Sequence, residues 1–308
     1  MILMLVSCQH SPSLFSLEEE ILDLFLQADG VFALAFQDLQ NDKFIRINAQ
    51  EKFHAASTMK TPVMIEVFKQ ERDGVFSQSD SVLVKNEFHS IVDSSIYRLT
   101  AEEDSEQDLY KRVGDKRTIA DLVYDMIIVS SNLATNLVID LVDAKNVTAT
   151  MEALGAKRIQ VLRGVEDIKA FEAGLSNSTT AEDLVIIYSK LAKLQVVTPD
   201  ASQEMINILF DQKFNEIIPA HLPDNVEVAH KTGAITGVHH DSGIVYLPDG
   251  RKYVLVLLSK ELPDFDTGTE LLAKVSKMIY DYVTANWYFI NPYQFILFNN
   301  LISSETDS

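Results

Sequence analysis

Ser57-Thr58-Met59-Lys60 sets a serine and a lysine three residues apart at the head of a stretch of helical periodicity, so the two side chains share one helix face. A serine hydroxyl is a poor nucleophile until a neighbour takes its proton. A lysine desolvated in a cleft has a lowered pKa and can do that work. The N-terminus of a helix also favours negative charge on the attacking oxygen. Phe53-His54-Ala55-Ala56 leads the chain in, and Pro62 lies in the first turn or just beyond it, where proline is tolerated or mildly disruptive. A serine followed by such a lysine turns up about once by chance in a chain this rich in both. The competing reading is an ordinary helix start with a surface lysine, and the downstream sequence decides between them.

Two further motifs follow in order, Ser130-Ser131-Asn132 and Lys231-Thr232-Gly233. Ser130 and Asn132 fall in a turn between two helical stretches and point the same way, with Ser131 pointing away. Ser130 could relay a proton to a leaving nitrogen, and Asn132 could bind a substrate amide. The plainer reading is that these residues cap the helix beginning near Asn132. Lys231-Thr232-Gly233-Ala234 closes a β-rich run whose edge can hydrogen-bond an extended substrate. Lys231 and Thr232 would hold a substrate carboxylate, and Gly233 leaves room for close approach. The N–H groups of Ser57 and Ala234 would form an oxyanion hole.

S-x-x-K, S-x-N and K-T-G in this order resemble the class A serine β-lactamases and their relatives, the penicillin-binding D,D-peptidases. The resemblance covers roughly residues 14–285. It implies an α+β, β-lactamase/transpeptidase-like fold: a helical lobe (57–210) inserted into a five-stranded antiparallel sheet domain (14–56 plus 211–285), with the active site in the cleft between them. It assigns catalytic roles to Ser57, Lys60 and Ser130, and substrate binding to Asn132, Lys231, Thr232, Gly233 and Ala234. It implies no metal and no organic cofactor. Arg163-Gly164-Val165-Glu166-Asp167 looks like the family's loop, which makes Glu166 the candidate base for deacylation. The bland alternative is a solvated acid on a loop.

Three departures from the family pattern stand out. Ile168-Lys169-Ala170 replaces the leucine and asparagine that usually continue the loop, so the water site is built differently, with Asn177 a possible contributor, or is poor. The middle of S-x-N is Ser131 instead of aspartate, as in the peptidases. The stretch from Ser81 to Arg117 is longer than the family leads one to expect, and could reshape one wall of the cleft.

The expected function is a β-lactamase that hydrolyses the lactam amide through a Ser57 acyl-enzyme and so confers antibiotic resistance. The alternatives are a D,D-peptidase or other acyl-serine hydrolase, and a penicillin-binding receptor without turnover. The expected partner is a small-molecule β-lactam, and the expected state is a monomer.

Composition agrees with one large domain or two lobes: 308 residues, 47% hydrophobic, can bury a sizeable core. The 45 acidic against 26 basic residues give a formal net charge of −19, which argues against nucleic-acid binding because phosphate neutralisation needs a basic face. Cys8 is the only cysteine, so neither an intramolecular disulfide nor a cysteine zinc site is expected. Leu5-Val6-Ser7-Cys8 resembles a bacterial lipobox, although no basic residue precedes Lys43. It leads to the expectation of a shortened lipoprotein signal over residues 1–8, and of a periplasmic or outer-membrane-anchored lipoprotein. No window offers the roughly 18 apolar residues of a membrane span. The 286–308 tail is aromatic but interrupted by Asn291, Pro292 and Asn299, and is expected to have no catalytic role.

Apolar periodicity predicts a helix over 11–29, strands over Val31–Leu39 and Lys43–Asn48, and a mostly helical stretch from Ser57 to about Phe210. Thr118 and Thr180 are predicted helix caps. Strands return at Val226–Lys231, Gly243–Leu247 and Tyr253–Ser259, with a Pro248-Asp249-Gly250 turn and a final helix over Thr269–Val283. His239-His240-Asp241 is rejected as a metal site, because neighbours on a strand point to opposite faces. One histidine is expected at the cleft rim and the other on the far side.

Overall fold

In Val31–Asp38 (β1), the residues from Phe32 to Phe36 are all buried, because both faces of this strand are covered. The computed structural model describes residues 13–285. Cys8 with its lipobox-like surroundings and the 286–308 tail lie outside the described residues. β1 joins Phe44–Ile47 (β2), Glu227–Ile235 (β3), Val238–Tyr246 (β4) and Lys252–Lys260 (β5) in one sheet of order β2-β1-β5-β4-β3. Every neighbouring pair is antiparallel.

The helices are Leu14–Gln27 (α1), Lys60–Arg72 (α2), Ile119–Ile128 (α3), Asn132–Val142 (α4), Ala144–Ala153 (α5), Ile168–Glu172 (α6), Ala181–Ala192 (α7), Pro199–Phe210 (α8) and Phe265–Ala285 (α9). Alternation along β1 sorts its side chains between two cores. Phe32, Leu34 and Phe36 join Leu17, Ile21 and Phe25 of α1 and Leu272, Val275 and Ile279 of α9. Burying each large apolar side chain contributes about 1.5–3 kcal/mol. Ala33 and Ala35 face the other way and join Val63 and Val67 of α2 and Leu184, Ile187 and Tyr188 of α7. This is the expected α+β fold, with a five-stranded antiparallel sheet and helices on both faces.

The caps form as read: the Thr118 hydroxyl accepts from Asp121 N and the Thr180 hydroxyl from Asp183 N, each at 3.1 Å. Several boundaries move. β4 begins at Val238, five residues before the predicted start, and β3 continues through Lys231-Thr232-Gly233 to Ile235. The predicted helical stretch also holds small two-stranded ladders, Ser81–Leu83 with Lys116–Thr118 and Phe88–His89 with Ile96–Tyr97. The second ladder lies within the stretch between Ser81 and Arg117, and the first ties its two ends together. Among the described residues no helix is long and apolar enough to cross a membrane.

Candidate active site

Ser57 lies on a 3-10 turn, Ala56–Met59, that runs directly into α2 at Lys60. The turn is held from several sides. Ala56 N donates to His54 Nδ1 at 3.0 Å, the Thr58 hydroxyl donates to Ala55 O at 2.6 Å, and Ala55 N donates to Asn177 O at 2.9 Å. Ser259 N donates to His240 Nδ1 at 3.1 Å. The His240 proton is therefore on Nε2, which donates to His54 O at 2.9 Å. These contacts keep Ala56 at φ +44°, in the left-handed region, a conformation that persists only where the surroundings over-determine it.

β3 lies directly against this turn. A Cβ on Gly233 would stand 2.9 Å from Ser57 N and 3.0 Å from Thr58 N, closer than atoms pack. Only glycine lets the strand approach, and the approach brings Ser57 and Ala234 to the wall of one cavity.

Lys60 is fully buried. Its ammonium donates to Ser130 O at 2.7 Å, Ser130 Oγ at 3.1 Å and Asn132 Oδ1 at 3.0 Å, which uses all three protons. Burial pulls its pKa down to about 7, and the charges of Asp104 and Glu166 partly offset that fall. Lys231 is also fully buried. It donates to Ser130 Oγ at 3.1 Å and to Thr232 O at 3.0 Å. Burial and the charge of Lys60 push it well below an ordinary lysine, against the pull of Asp241.

Ser130 has φ +58° and precedes α4. Ser131 is the N-cap: its hydroxyl accepts from Ala134 N at 3.2 Å. The capping reading is thus correct for Ser131, while Ser130 and Asn132 turn to the lysines. The first two amides of α4, Asn132 N and Leu133 N, both donate to Asp104 Oδ2 at 2.9 Å.

Asn132 is a bridge. Its Oδ1 faces Lys60, and its Nδ2 donates to Glu166 Oε1 at 2.8 Å. Burial raises the pKa of Glu166 above the usual carboxylate value, and Asp104 and Glu103 add to this. The Asn132 hydrogen bond and Lys60 act in the opposite sense. One turn along α4, Asn136 accepts from Val165 N at 2.6 Å and donates to Val165 O at 3.1 Å. A Cβ on Gly164 would overlap the Asn136 carboxamide, so this loop too needs glycine for close approach. Arg163 is buried and donates to Leu175 O at 3.0 Å and to Gly164 O at 2.8 Å.

The cavity holds about 900 Å³ and is lined by Ser57, Ser130, Asn132, Glu166, Thr232, Gly233 and Ala234. Lys60 and Lys231 stand behind it, bonded to Ser130. All nine residues predicted from the motifs therefore meet at one place. Glu103 and Ser105, from the long 81–117 stretch, line the same cavity. His239 is on the rim, stacked on Phe265 at 4.4 Å and hydrogen-bonded to Thr269 at 2.7 Å; His240 points to the other face, as strand alternation predicts. Among the described residues no three His, Cys, Asp or Glu side chains are grouped to hold a metal.

Asn177 is not free to hold a water through its carboxamide. Its Oδ1 accepts from Leu162 N and Arg163 N, and its Nδ2 donates to Arg163 O, so the side chain ties the base of the loop. Asp104, Asn136 and Asp167 were missed by sequence reasoning. Only Asn136 carried a signal, an amide four residues after Asn132 on an otherwise apolar helix.

A family model described as "Beta-lactamase enzyme family" matches residues 16–283. No curated protein matches the chain. Among solved structures, the chain is similar to a beta-lactamase from Sphaerobacter thermophilus DSM 20745, with 22% identity and TM-score 0.73, over 87% of this chain and 97% of that one. It is similar to PBP-A at 23% identity and TM-score 0.77, over 88% and 97%. It is also similar to a class A beta-lactamase representative from Bacteroides cellulosilyticus DSM 14838 at 20% identity and TM-score 0.72, over 87% and 97%. At these identities the structural likeness speaks to the fold.

Proposed function

Because the chain belongs to the beta-lactamase enzyme family across residues 16–283, and with it to the β-lactam hydrolases at family level, we propose that it is a serine β-lactamase of class A type. The observation that carries this reading is the Asn132 carboxamide joining Lys60 to Glu166. It connects the lysine beside the nucleophile to a carboxylate on the loop, as a two-step acyl transfer requires.

In acylation the Ser57 hydroxyl loses its proton to Lys60, whose pKa burial pulls down to about 7, and Ser57 Oγ bonds to the lactam carbonyl carbon. The oxyanion forms against the N–H groups of Ser57 and Ala234. The C–N bond then breaks, and Ser130 hands a proton to the lactam nitrogen. Ser130 Oγ suits that role because two lysines donate to it and can return its proton. Thr232 and Lys231 hold the substrate carboxylate. In deacylation the Glu166 carboxylate takes a proton from water, which attacks the acyl carbon and frees Ser57.

The rival D,D-peptidase reading draws support from the loop. Ala170 is buried with its N–H donated to Asp167, and offers no side-chain amide for the water. Ser57→Ala should abolish both the adduct with benzylpenicillin and its hydrolysis. Release of D-alanine from an acyl-D-alanyl-D-alanine peptide by the parent, without penicillin hydrolysis, would favour the rival.

The Leu5-Val6-Ser7-Cys8 sequence supports export and lipid anchoring through Cys8, and we carry a monomeric, membrane-tethered periplasmic enzyme as part of the same proposal.

A further inference from the structure

The hairpin Phe88–Tyr97 within the stretch between Ser81 and Arg117 takes no part in the mechanism above, yet it grips the loop that carries Glu166. Ser90 and Asp167 are both buried. The Ser90 hydroxyl donates to Asp167 Oδ1 at 2.8 Å, and Ile91 N donates to Asp167 Oδ2 at 3.0 Å. Asp167 also accepts from Ala170 N at 3.1 Å, which caps α6. A buried carboxylate given several donors is a strong, directional tie. Outside it, Lys169 Nζ reaches Asp93 Oδ2 and Ser95 Oγ, both at 2.7 Å. That outer pair is exposed, where ion pairs contribute little.

Glu166, between these ties, has φ +62°. The left-handed region is costly for a glutamate, and contacts on either side of it hold the backbone there. On its N-terminal side Asn136 grips both main-chain groups of Val165. On its C-terminal side the grip is Asp167 on the hairpin. Without that second grip the backbone can relax to ordinary φ, which swings the carboxylate away from Asn132.

We propose that the buried Ser90–Asp167 clasp is a positioning device, by which the 81–117 stretch holds Glu166 in place for deacylation. Ser90 and Asp167 are positioning residues that act through Glu166. The inference rests on the β-lactamase reading and its assignment of Glu166 as the deacylation base.

The test separates the two half-reactions with benzylpenicillin, following adduct formation and adduct decay by intact mass in the full chain. Misplacing a catalytic group by about 1 Å costs on the order of 100-fold. Because Ser90→Ala still leaves the Ile91 amide on Asp167, it should slow deacylation by about tenfold while acylation stays within about twofold. Ser90→Thr, which keeps the hydroxyl, should restore deacylation, and Lys169→Ala should change neither step. An equal fall in both steps for Ser90→Ala would mean general loosening and overturn the clasp. So would deacylation at the parent rate. Glu166→Gln separates the levels. If Glu166→Gln traps the adduct while Ser90→Ala deacylates normally, the clasp alone is wrong. If Glu166→Gln itself deacylates at the parent rate, the base assignment fails and the clasp with it.

Discussion

Lys60 and Lys231 donate to one atom, the Ser130 hydroxyl oxygen, each at 3.1 Å. Two buried ammonium groups cannot both keep their charge cheaply at that separation. Burial pulls Lys60, three residues after Ser57, down to about 7, which leaves it poised to be a free amine near neutral pH.

Acylation should accordingly rise with pH through a midpoint near 7, as Lys60 loses its proton. Asp104 holds that pKa up, so Asp104→Asn should move the midpoint to lower pH. Single-turnover acylation with benzylpenicillin from pH 5 to 9 checks both. The same shift bears on stability. Lys60 titrates lower in the folded chain than in the unfolded one, so the unfolded state binds more protons between about pH 7 and 10.5. The Lys60 contribution is therefore destabilising in full below pH 7 and disappears as pH rises through that window. Lys60→Met should flatten this part of a denaturant-midpoint profile.

Glu166→Gln should leave acylation measurable and slow deacylation by about 100- to 10,000-fold, the usual contribution of a positioned base. In the parent, deacylation needs the carboxylate. Because burial raises the Glu166 pKa, the acid limb of deacylation should fall at higher pH than an ordinary glutamate would give. A deacylation pH profile reads this directly.

Gly233→Ala would press a methyl group onto Ser57 N and Thr58 N. β3 would have to move off the nucleophile turn, and overpacking of this kind costs about 1–3 kcal/mol of stability. Acylation should drop by about 100-fold or more, as when one oxyanion donor is lost. Stopped-flow acylation and thermal melting measure the two effects separately.

Ser131→Ala should cost about 0.5–2 kcal/mol, the usual loss of an N-cap, and leave acylation and deacylation nearly unchanged. Asp104 still holds the first two amides of α4, so the helix start survives. Melting temperature with steady-state kinetics is the check.

The site was legible in the sequence to the extent that chemistry demands residue types at short spacing. Ser57 with Lys60, and Ser130 with Asn132, are such pairs, and Glu166 follows an arginine and a glycine that the loop needs. Asp104 and Ser90 were not legible. Their partners, Asn132 and Asp167, are brought to them by tertiary packing, and nothing near either residue announces it. The late prediction for the start of β4 has a different cause. His239, His240 and Asp241 interrupt the apolar pattern, but His240 is satisfied by His54 O and Ser259 N, and Asp241 by His230, Ile218 N and Ser242 N. Polar residues can occupy a buried strand when every donor and acceptor finds a partner, and periodicity alone does not reveal those partners. The continuous apolar run of β1 was legible because helices cover it on both faces.

The most direct test of the central claim is the intact mass of the protein against time after mixing with benzylpenicillin and with a cephalosporin, with hydrolysed drug assayed in parallel. An adduct that maps to Ser57, forms and then decays while hydrolysed drug accumulates beyond one equivalent is the predicted result. An adduct that persists, or drug hydrolysis with no adduct on Ser57, would contradict it.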